Sequence, residues 1–145
     1  MRTVKRSAIV PYRANEMFDL VDDVDAYEQF LPWCSRSETL SRSGDTVEAT
    51  LELKHGALAR AFTTRNTLKR GEAIDIGLVG GPFRHLQGGW RFDPLGDAGC
   101  KVSLALEFEF ESRLVDLLFG TFFEETCNSL VDAFTARAAA VYGER

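Results

Sequence analysis

Large apolar residues alternate with polar or small residues between Lys101 and Glu111. The apolar positions are Val102, Leu104, Leu106, Phe108 and Phe110. A period of two predicts a strand with one buried face and one solvated face. The same period occurs over residues 47–54 and 85–92, and Ser43-Gly44-Asp45 is a hairpin-turn signal ahead of the first of these segments. From about Ser35 to Glu111 we therefore predict six antiparallel strands joined by short turns.

Other periodicities flank this strand region on both sides. The first ten residues predict one more strand, which ends at Pro11, and Ala14–Asp23 and Val24–Phe30 predict two short helices. After Ser112, apolar residues recur at helical spacing to about Tyr142, which predicts a helix roughly 45 Å long. We therefore predict an α+β fold, in which a curved antiparallel sheet of about seven strands grips a long C-terminal helix. We expect one domain over residues 1–145.

The charge and composition of the chain exclude several classes of protein. Seventeen basic and 22 acidic residues give a net charge of −5, which disfavours a general polyanion binder, so we expect no DNA partner. The longest apolar runs are too short for a transmembrane segment or a signal peptide. The three cysteines form no CxxC pair and indicate reduced thiols. We therefore expect a cytoplasmic protein.

Signatures of catalysis and of metal binding are missing from the sequence. His55 and His85 are the only histidines, and no His/Cys cluster has metal-ligand spacing, so we expect no metal site. The chain contains no GxSxG, GxGxxG or phosphate-loop motif. We therefore predict no catalytic residues, no required cofactor and no enzymatic activity. A polyketide cyclase-like activity is the minority alternative.

A glycine-rich region points to a gap between the sheet and the long helix. Eight of the twelve glycines fall between Gly71 and Gly99, where they predict bulges and bends in the strands. A sheet bent away from a helix leaves a cavity suited to a flat or long apolar ligand. The alternative is that the same side chains simply fill a core. The expected apolar lining residues are Phe30, Trp33, Phe62, Phe83, Trp90, Phe92, Phe108, Phe110, Leu118, Phe122 and Phe123.

Polar residues occupy both parities of the strand segment Phe62–Asn66. Either Arg65 is a solvated outward residue, or Thr64 and Asn66 point inward as polar groups at a cavity. The flanking Phe62 and Leu68 share a parity with Thr64 and Asn66, so the pattern leaves both readings open. Thr64, Arg65 and Asn66 are all candidate ligand contacts.

A local block of basic residues lies between positions 54 and 70, with no acidic residue among them. Its members Lys54, Arg60, Lys69 and Arg70 are candidate contacts to RNA phosphate. The alternative is a solvated strand face.

Several short motifs together resemble one family of proteins. They are Phe30-Leu31-Pro32-Trp33-Cys34, Phe62-Thr63-Thr64-Arg65-Asn66, Gly81-Pro82-Phe83, Gly88-Gly89-Trp90-Arg91-Phe92 and Phe108-Glu109-Phe110. With the order of elements, they make the chain similar to the START-like helix-grip proteins, and within these to the ribosome-association toxin (RatA) and coenzyme-Q-binding family. The resemblance covers nearly the whole chain.

The resemblance implies two functions of different classes. One is non-enzymatic binding of ubiquinone or another isoprenoid lipid in support of respiration, with Arg65 or Asn66 near a ring carbonyl. The other is a toxin that binds the large ribosomal subunit and blocks 70S formation, with a small antitoxin protein as a further partner. Polyketide cyclase or dehydrase activity, the third label found among such proteins, rests on fold analogy alone.

Overall fold

The seven predicted strands form one antiparallel sheet in a computed structural model that describes residues 1–145. The order across the sheet is β1-β7-β6-β5-β4-β3-β2, so that β1 and β2 are the two edges. The strands are β1 (Arg2–Val10), β2 (Cys34–Ser43), β3 (Thr46–His55), β4 (Leu58–Lys69), β5 (Ala73–Gly80), β6 (Phe83–Leu95) and β7 (Gly99–Phe110).

The helical elements match the expected order and differ in detail. Helix α1 (Ala14–Asp22) is followed by a 3₁₀ segment (Val24–Gln29), and together they connect the two edge strands. The long C-terminal helix is not uniform: it contains a short α2 (Arg113–Val115), a π turn (Asp116–Gly120) and α3 (Thr121–Tyr142).

The π turn lies where Arg2 of the first strand crosses the helix. The Arg2 guanidinium donates to both carboxylate oxygens of Asp116, at 3.0 and 3.1 Å, and to Glu124 at 3.4 Å. A Cβ on Gly120 would lie 2.5 Å from the Arg2 guanidinium, so a larger residue there would push the Arg2 and Asp116 side chains from these positions. The Arg2–Asp116 ion pair therefore lies at the turn where one extra residue widens the helix.

The other end of α3 is fastened to α1. The Tyr12 hydroxyl donates to the Gly143 carbonyl at 2.9 Å, and the Tyr142 hydroxyl donates to the Glu16 carbonyl at 3.0 Å. Arg145 also forms an ion pair with the Glu16 carboxylate at 2.7 Å. Both ends of the long helical segment are thus held against the rest of the chain, and the space between them is where the helix faces the sheet.

The sheet has one buried and one exposed face, as the alternation predicts. On β7 the even-numbered residues from Cys100 to Phe110 are buried beneath α3, whereas Lys101, Ala105 and Glu107 are exposed. The sheet bends at Gly88, where a Cβ would lie 2.0 Å from the Ala105 carbonyl oxygen of the neighbouring strand. This close approach requires glycine and helps to curve the sheet around the helix.

Candidate functional site

An apolar cavity of about 80 Å³ lies between the inner face of the sheet and α3. Its walls come from the 3₁₀ segment, from β3 to β7 and from α3. Fourteen of its 17 lining residues are hydrophobic, so it is chemically suited to an apolar ligand. Its volume is well below the roughly 300–1,000 Å³ of typical small-molecule sites. Binding of a larger ligand therefore requires the helix and the sheet to separate further.

Six of the residues expected at a ligand site line this cavity. They are Trp33, Phe62, Thr64, Asn66, Trp90 and Phe123. They come from four separate elements of the chain, and the curvature of the sheet brings them together. Trp90 is buried and packs edge-to-face on Phe134 of the helix, with ring centroids 5.4 Å apart.

Three more of the expected aromatic residues fill the core beside the cavity. Phe83 stacks on Phe110 at 4.6 Å, and Phe108 packs edge-to-face on Phe123 at 4.9 Å. All three are buried and contact one another, so they leave no open space between them. These three residues therefore belong to the packed core and do not line the cavity, as the alternative interpretation predicts.

Phe92 and Phe30 also lie outside the cavity. Phe92 is buried against Phe18 of α1, with ring centroids 5.8 Å apart. Phe30 packs on Phe134 at 5.2 Å and lies beneath the Arg137 guanidinium at 4.9 Å. Phe30 therefore helps hold the 3₁₀ segment against α3.

Leu118 and Phe122 lie on the side of the helix that does not face the cavity. Leu118 is exposed. Phe122 is half-buried and stacks on His55 at the tip of the β3–β4 hairpin, with ring centroids 4.1 Å apart. The π turn shifts the helical register ahead of Phe123, so that neither residue continues the inward stripe.

The remaining lining residues are mostly aliphatic, and a search centred on aromatic side chains missed them. They are Val24, Tyr27, Ala49, Leu51, Ile76, Leu86, Leu106, Thr126, Cys127, Leu130 and Phe134. The strand members share the inward parity of their strands, and the helix members follow Phe123 at helical spacing. Those two periodicities were the signals that could have identified them.

The two readings of the Phe62–Asn66 segment are both correct. Thr64 and Asn66 face the cavity, and the Thr64 hydroxyl donates to the Asn66 side-chain oxygen at 3.1 Å. Arg65 points to the opposite face, where it forms an ion pair with Glu48 at 2.6 Å. The prediction that Arg65 contacts the ligand is therefore wrong, because the pleat of β4 places its side chain on the outer face of the sheet.

One polar group at the cavity has no partner. The indole nitrogen of Trp33 is buried and makes no hydrogen bond. Leaving such a donor unpaired costs about 1–3 kcal/mol, which a ligand that accepts a hydrogen bond there would recover. With the Thr64–Asn66 pair, the cavity therefore offers a few polar groups within an apolar wall.

The two titratable lining residues remain neutral. Burial raises the pKa of the Tyr27 phenol, whose hydroxyl donates to the Val21 carbonyl. Burial likewise raises the pKa of the Cys127 thiol. Neither group is poised to exchange a proton near pH 7, so the cavity wall holds no general acid or base.

The four basic candidates do not form one patch. Lys54 and Lys69 lie on the outer face of the sheet at opposite ends of the β3–β4 pair. Arg60 has the inward parity, with its guanidinium 5.8 Å from the Phe119 ring, and Arg70 pairs with Asp45 at 3.4 Å. The ten residues from Arg60 to Lys69 span about 30 Å of extended strand. The block in the sequence is therefore divided between two faces and two ends.

The chain has no helix that is both long enough and apolar enough to cross a bilayer. No three His, Cys, Asp or Glu side chains gather as a set of metal ligands.

Comparison with known proteins gives consistent matches over almost the whole chain. Residues 10–135 match the family model described as polyketide cyclase / dehydrase and lipid transport. The ribosome association toxin RatA of Vibrio cholerae is 47% identical over 144 residues, covering 99% of this chain and 100% of that protein. The mitochondrial coenzyme Q-binding protein COQ10 homolog B of Xenopus laevis is 31% identical over 144 residues, covering 96% of this chain and 59% of that protein.

Solved structures share the same architecture. An 18 kDa protein from Caulobacter crescentus is 34% identical, covers 99% of both chains and has a TM-score of 0.75. The Zhui aromatase/cyclase from Streptomyces sp. R1128 has a TM-score of 0.82, with 99% of both chains covered and 17% identity. At that identity the second likeness concerns the fold alone.

Proposed function

Because the chain belongs to the polyketide cyclase / dehydrase and lipid transport family, together with the RatA toxins and a coenzyme Q-binding protein, we propose that it binds a quinone or another isoprenoid lipid in its cavity. The observation that carries this proposal is the apolar cavity between sheet and helix, with an unpaired indole N–H and the Thr64–Asn66 pair in its wall. A quinone ring presents carbonyl acceptors, and an isoprenoid tail presents only hydrocarbon.

Hydrophobic burial supplies the affinity in this proposal. Each methylene of an isoprenoid tail contributes about 0.8 kcal/mol when it leaves water, so a tail of several units offsets the cost of association and of opening the cavity. The cavity lies behind the middle of the C-terminal helical segment, whose two ends are fastened. Entry of the ligand therefore requires the wall on one side of α3 to move.

The proposed activity is binding without chemical conversion. Polyketide cyclisation and dehydration need a group that moves protons near the substrate, and the 17 lining residues include no Asp, Glu, His, Lys or Arg. Tyr27 and Cys127 have raised pKa values and stay protonated. This wall favours a carrier over a cyclase.

The test is solvent extraction of purified protein, with quinones identified by mass spectrometry, alongside titration with a short-tailed ubiquinone. Ala49→Leu enlarges a side chain in the cavity wall, and we expect it to lower ligand content and affinity by at least about tenfold. Thr50→Leu introduces the same side chain on the outer face of the same strand and serves as the control. Equal quinone binding by both variants would contradict the proposed site.

A second proposed function is association with the large ribosomal subunit, with a small antitoxin as a further partner. The support for this function is the full-length match to RatA toxins, at 47% identity for the Vibrio cholerae protein. We expect the protein to sediment with large subunits on a sucrose gradient and to reduce 70S formation when small subunits are added. Unchanged 70S formation with the protein left at the top of the gradient would exclude this function.

A further inference from the structure

The outer face of the sheet, opposite the helix, carries an open groove of about 730 Å³ across β1, β7, β6 and β5. Its floor is made of small residues, among them Ser7, Gly89, Ser103 and Ala105. These residues are neighbours across the sheet, because Ser7 pairs with Ser103 and Gly89 pairs with Ala105. The backbone is therefore accessible over the three adjacent strands β1, β7 and β6, and we call this feature the outer groove.

Four basic residues line the outer groove: Lys5, Arg6, Arg91 and Lys101. Arg6 has the inward parity of β1 and donates to the Asn128 side-chain oxygen at 3.0 Å, whereas Lys5, Arg91 and Lys101 are exposed on the outer face. None of them has a carboxylate within 4.0 Å, although most arginines elsewhere in the chain are paired. Asp75 is the one carboxylate in the groove wall. In a chain of net charge −5, this is a local concentration of unpaired positive charge.

The strand register fixes the spacing of these cations. Arg91 lies opposite Ser103, Lys5 lies opposite Ala105, and Lys101 is two residues from Ser103 on the same face. With strands about 4.8 Å apart and residues rising about 3.3 Å each, the three Cα atoms are roughly 8–14 Å from one another.

Protection of the sheet edge does not account for these residues. Lysine on an edge strand discourages pairing with another chain, and Lys5 on β1 fits that role. Arg91 and Lys101 lie on the interior strands β6 and β7, where both edges are already hydrogen-bonded. Asp93 pairs in register with Lys101 and still makes no ion pair with it. The interior cations are therefore available to a partner.

We propose that the outer groove binds the phosphate backbone of RNA, and this inference rests on the proposed ribosome association. Lys5, Arg91 and Lys101 neutralise phosphates of the RNA backbone, and the small floor admits the sugar-phosphate chain close to the sheet. Backbone contacts of this kind fix position and carry no sequence information, so recognition follows the shape of the RNA. The apolar cavity lies on the opposite face of the sheet, so the two sites are separate.

The test compares two triple variants with matched loss of charge. The groove variant is Lys5→Gln, Arg91→Gln and Lys101→Gln. The control variant is Arg13→Gln, Arg36→Gln and Arg113→Gln, three exposed cations outside both the outer groove and the basic block of residues 54–70. Each protein is titrated with large ribosomal subunits and with protein-free large-subunit RNA, at several salt concentrations. Thermal denaturation of each variant checks that it is folded.

We expect the groove variant to lose at least about tenfold in affinity for both probes, and the control to bind like the wild type. With three phosphate contacts, log K of the wild type should fall with log salt at a slope of about −2 to −3, and the groove variant should lose most of that slope. Equal binding by wild type and groove variant would overturn the groove and leave ribosome association standing. Binding to subunits without binding to bare RNA would indicate a protein partner and overturn the RNA assignment. Binding to neither probe would remove ribosome association itself.

Discussion

The Arg2 guanidinium forms two hydrogen bonds with the Asp116 carboxylate, which joins the first strand to the π turn across 114 positions of sequence. The pair is partly exposed, with 27% of the Arg2 side chain and 44% of the Asp116 side chain accessible. Hydrogen bonds from Arg2 are the main reason that the pKa of Asp116 lies below its usual range. The contact therefore fastens the helical segment that covers the cavity.

Loss of this contact should loosen the start of the helical segment. We expect Arg2→Gln to lower the free energy of unfolding by about 1 kcal/mol at pH 7, a discounted value for a partly solvated pair. Because the folded pKa of Asp116 is depressed, the difference should shrink as pH falls below about 4. Urea denaturation at pH 7 and pH 3 measures it. Arg36→Gln, which removes a more exposed pair with Glu38, is the control and should change little.

Glu16 provides a second pH-dependent contribution at the other end of the helix. Its pKa is lowered from 4.5 to about 2, first by hydrogen bonds from Arg145 and then by the Arg13 backbone N–H. A depressed carboxylate stabilises the fold above its unfolded pKa and loses that effect as pH falls through its folded pKa. Glu16→Gln should therefore cost about 1 kcal/mol at pH 7 and almost nothing near pH 2. A constant difference across pH 7 to 2, measured by urea denaturation, would contradict this assignment.

We expect the Asn66 side chain to contact the ring of a bound quinone and not its tail. Asn66→Leu removes the amide from the cavity wall while keeping a side chain of similar size. We expect it to weaken binding of a short-tailed ubiquinone about tenfold, the equivalent of one hydrogen bond, and to leave binding of the matching alkylbenzene unchanged. Isothermal titration of both ligands measures the difference, and an equal loss for both would argue against a contact to the ring carbonyl.

Gly88 should be among the least replaceable residues of the sheet. An alanine Cβ would lie 2.0 Å from the Ala105 carbonyl oxygen, so two central strands would have to separate. We expect Gly88→Ala to cost at least about 3 kcal/mol of stability, in the range of severe core defects. Gly80→Ala is the control, because a Cβ there meets nothing within 4 Å. Thermal denaturation compares the two, and similar Tm values would contradict the role of Gly88.

The three cysteines should be unreactive in the folded protein. Cys34, Cys100 and Cys127 are buried free thiols. Burial raises the pKa of Cys34 and of Cys100 to about 11 in each case, and that of Cys127 also rises. Since the thiolate is the reactive form, we expect slow reaction with an aromatic disulfide at pH 8 and release of three equivalents only on unfolding. Rapid labelling of the native protein would show that a thiol is accessible.

The sheet could be predicted from the sequence because each strand carries its own evidence. Parity alone assigns Val102 to the inner face and Lys101 to the outer face, and it also separates Arg60 from Lys69. The block of basic residues does not form one patch, because residues that are close in the sequence of a strand can lie on opposite faces of the sheet. In the structure, Thr64 and Asn66 share the inward parity of Phe62 and Leu68, and Arg65 has the opposite parity.

The position of the cavity depends on contacts between distant residues, and no local pattern contains them. Phe83 and Phe123 are both predicted to line the cavity, yet only Phe123 reaches it. The difference arises from where the bend at Gly88 and the π turn place the helix. The π turn itself coincides with the crossing of Arg2, which no window of neighbouring residues can predict.

The pairing of β1 with β7 has a consequence for synthesis of the chain. Arg2 lies opposite Phe108, and β1 has no other strand partner. Roughly 100 residues must therefore be translated before the first strand can be hydrogen-bonded, which at about 5–20 residues per second takes about 5–20 s. During that interval β1 has no strand to pair with, and its backbone groups stay open until β7 has emerged from the ribosome. Such long-range pairing is intrinsically slow, so β1 is exposed to non-native pairing for longer than any other strand of the sheet.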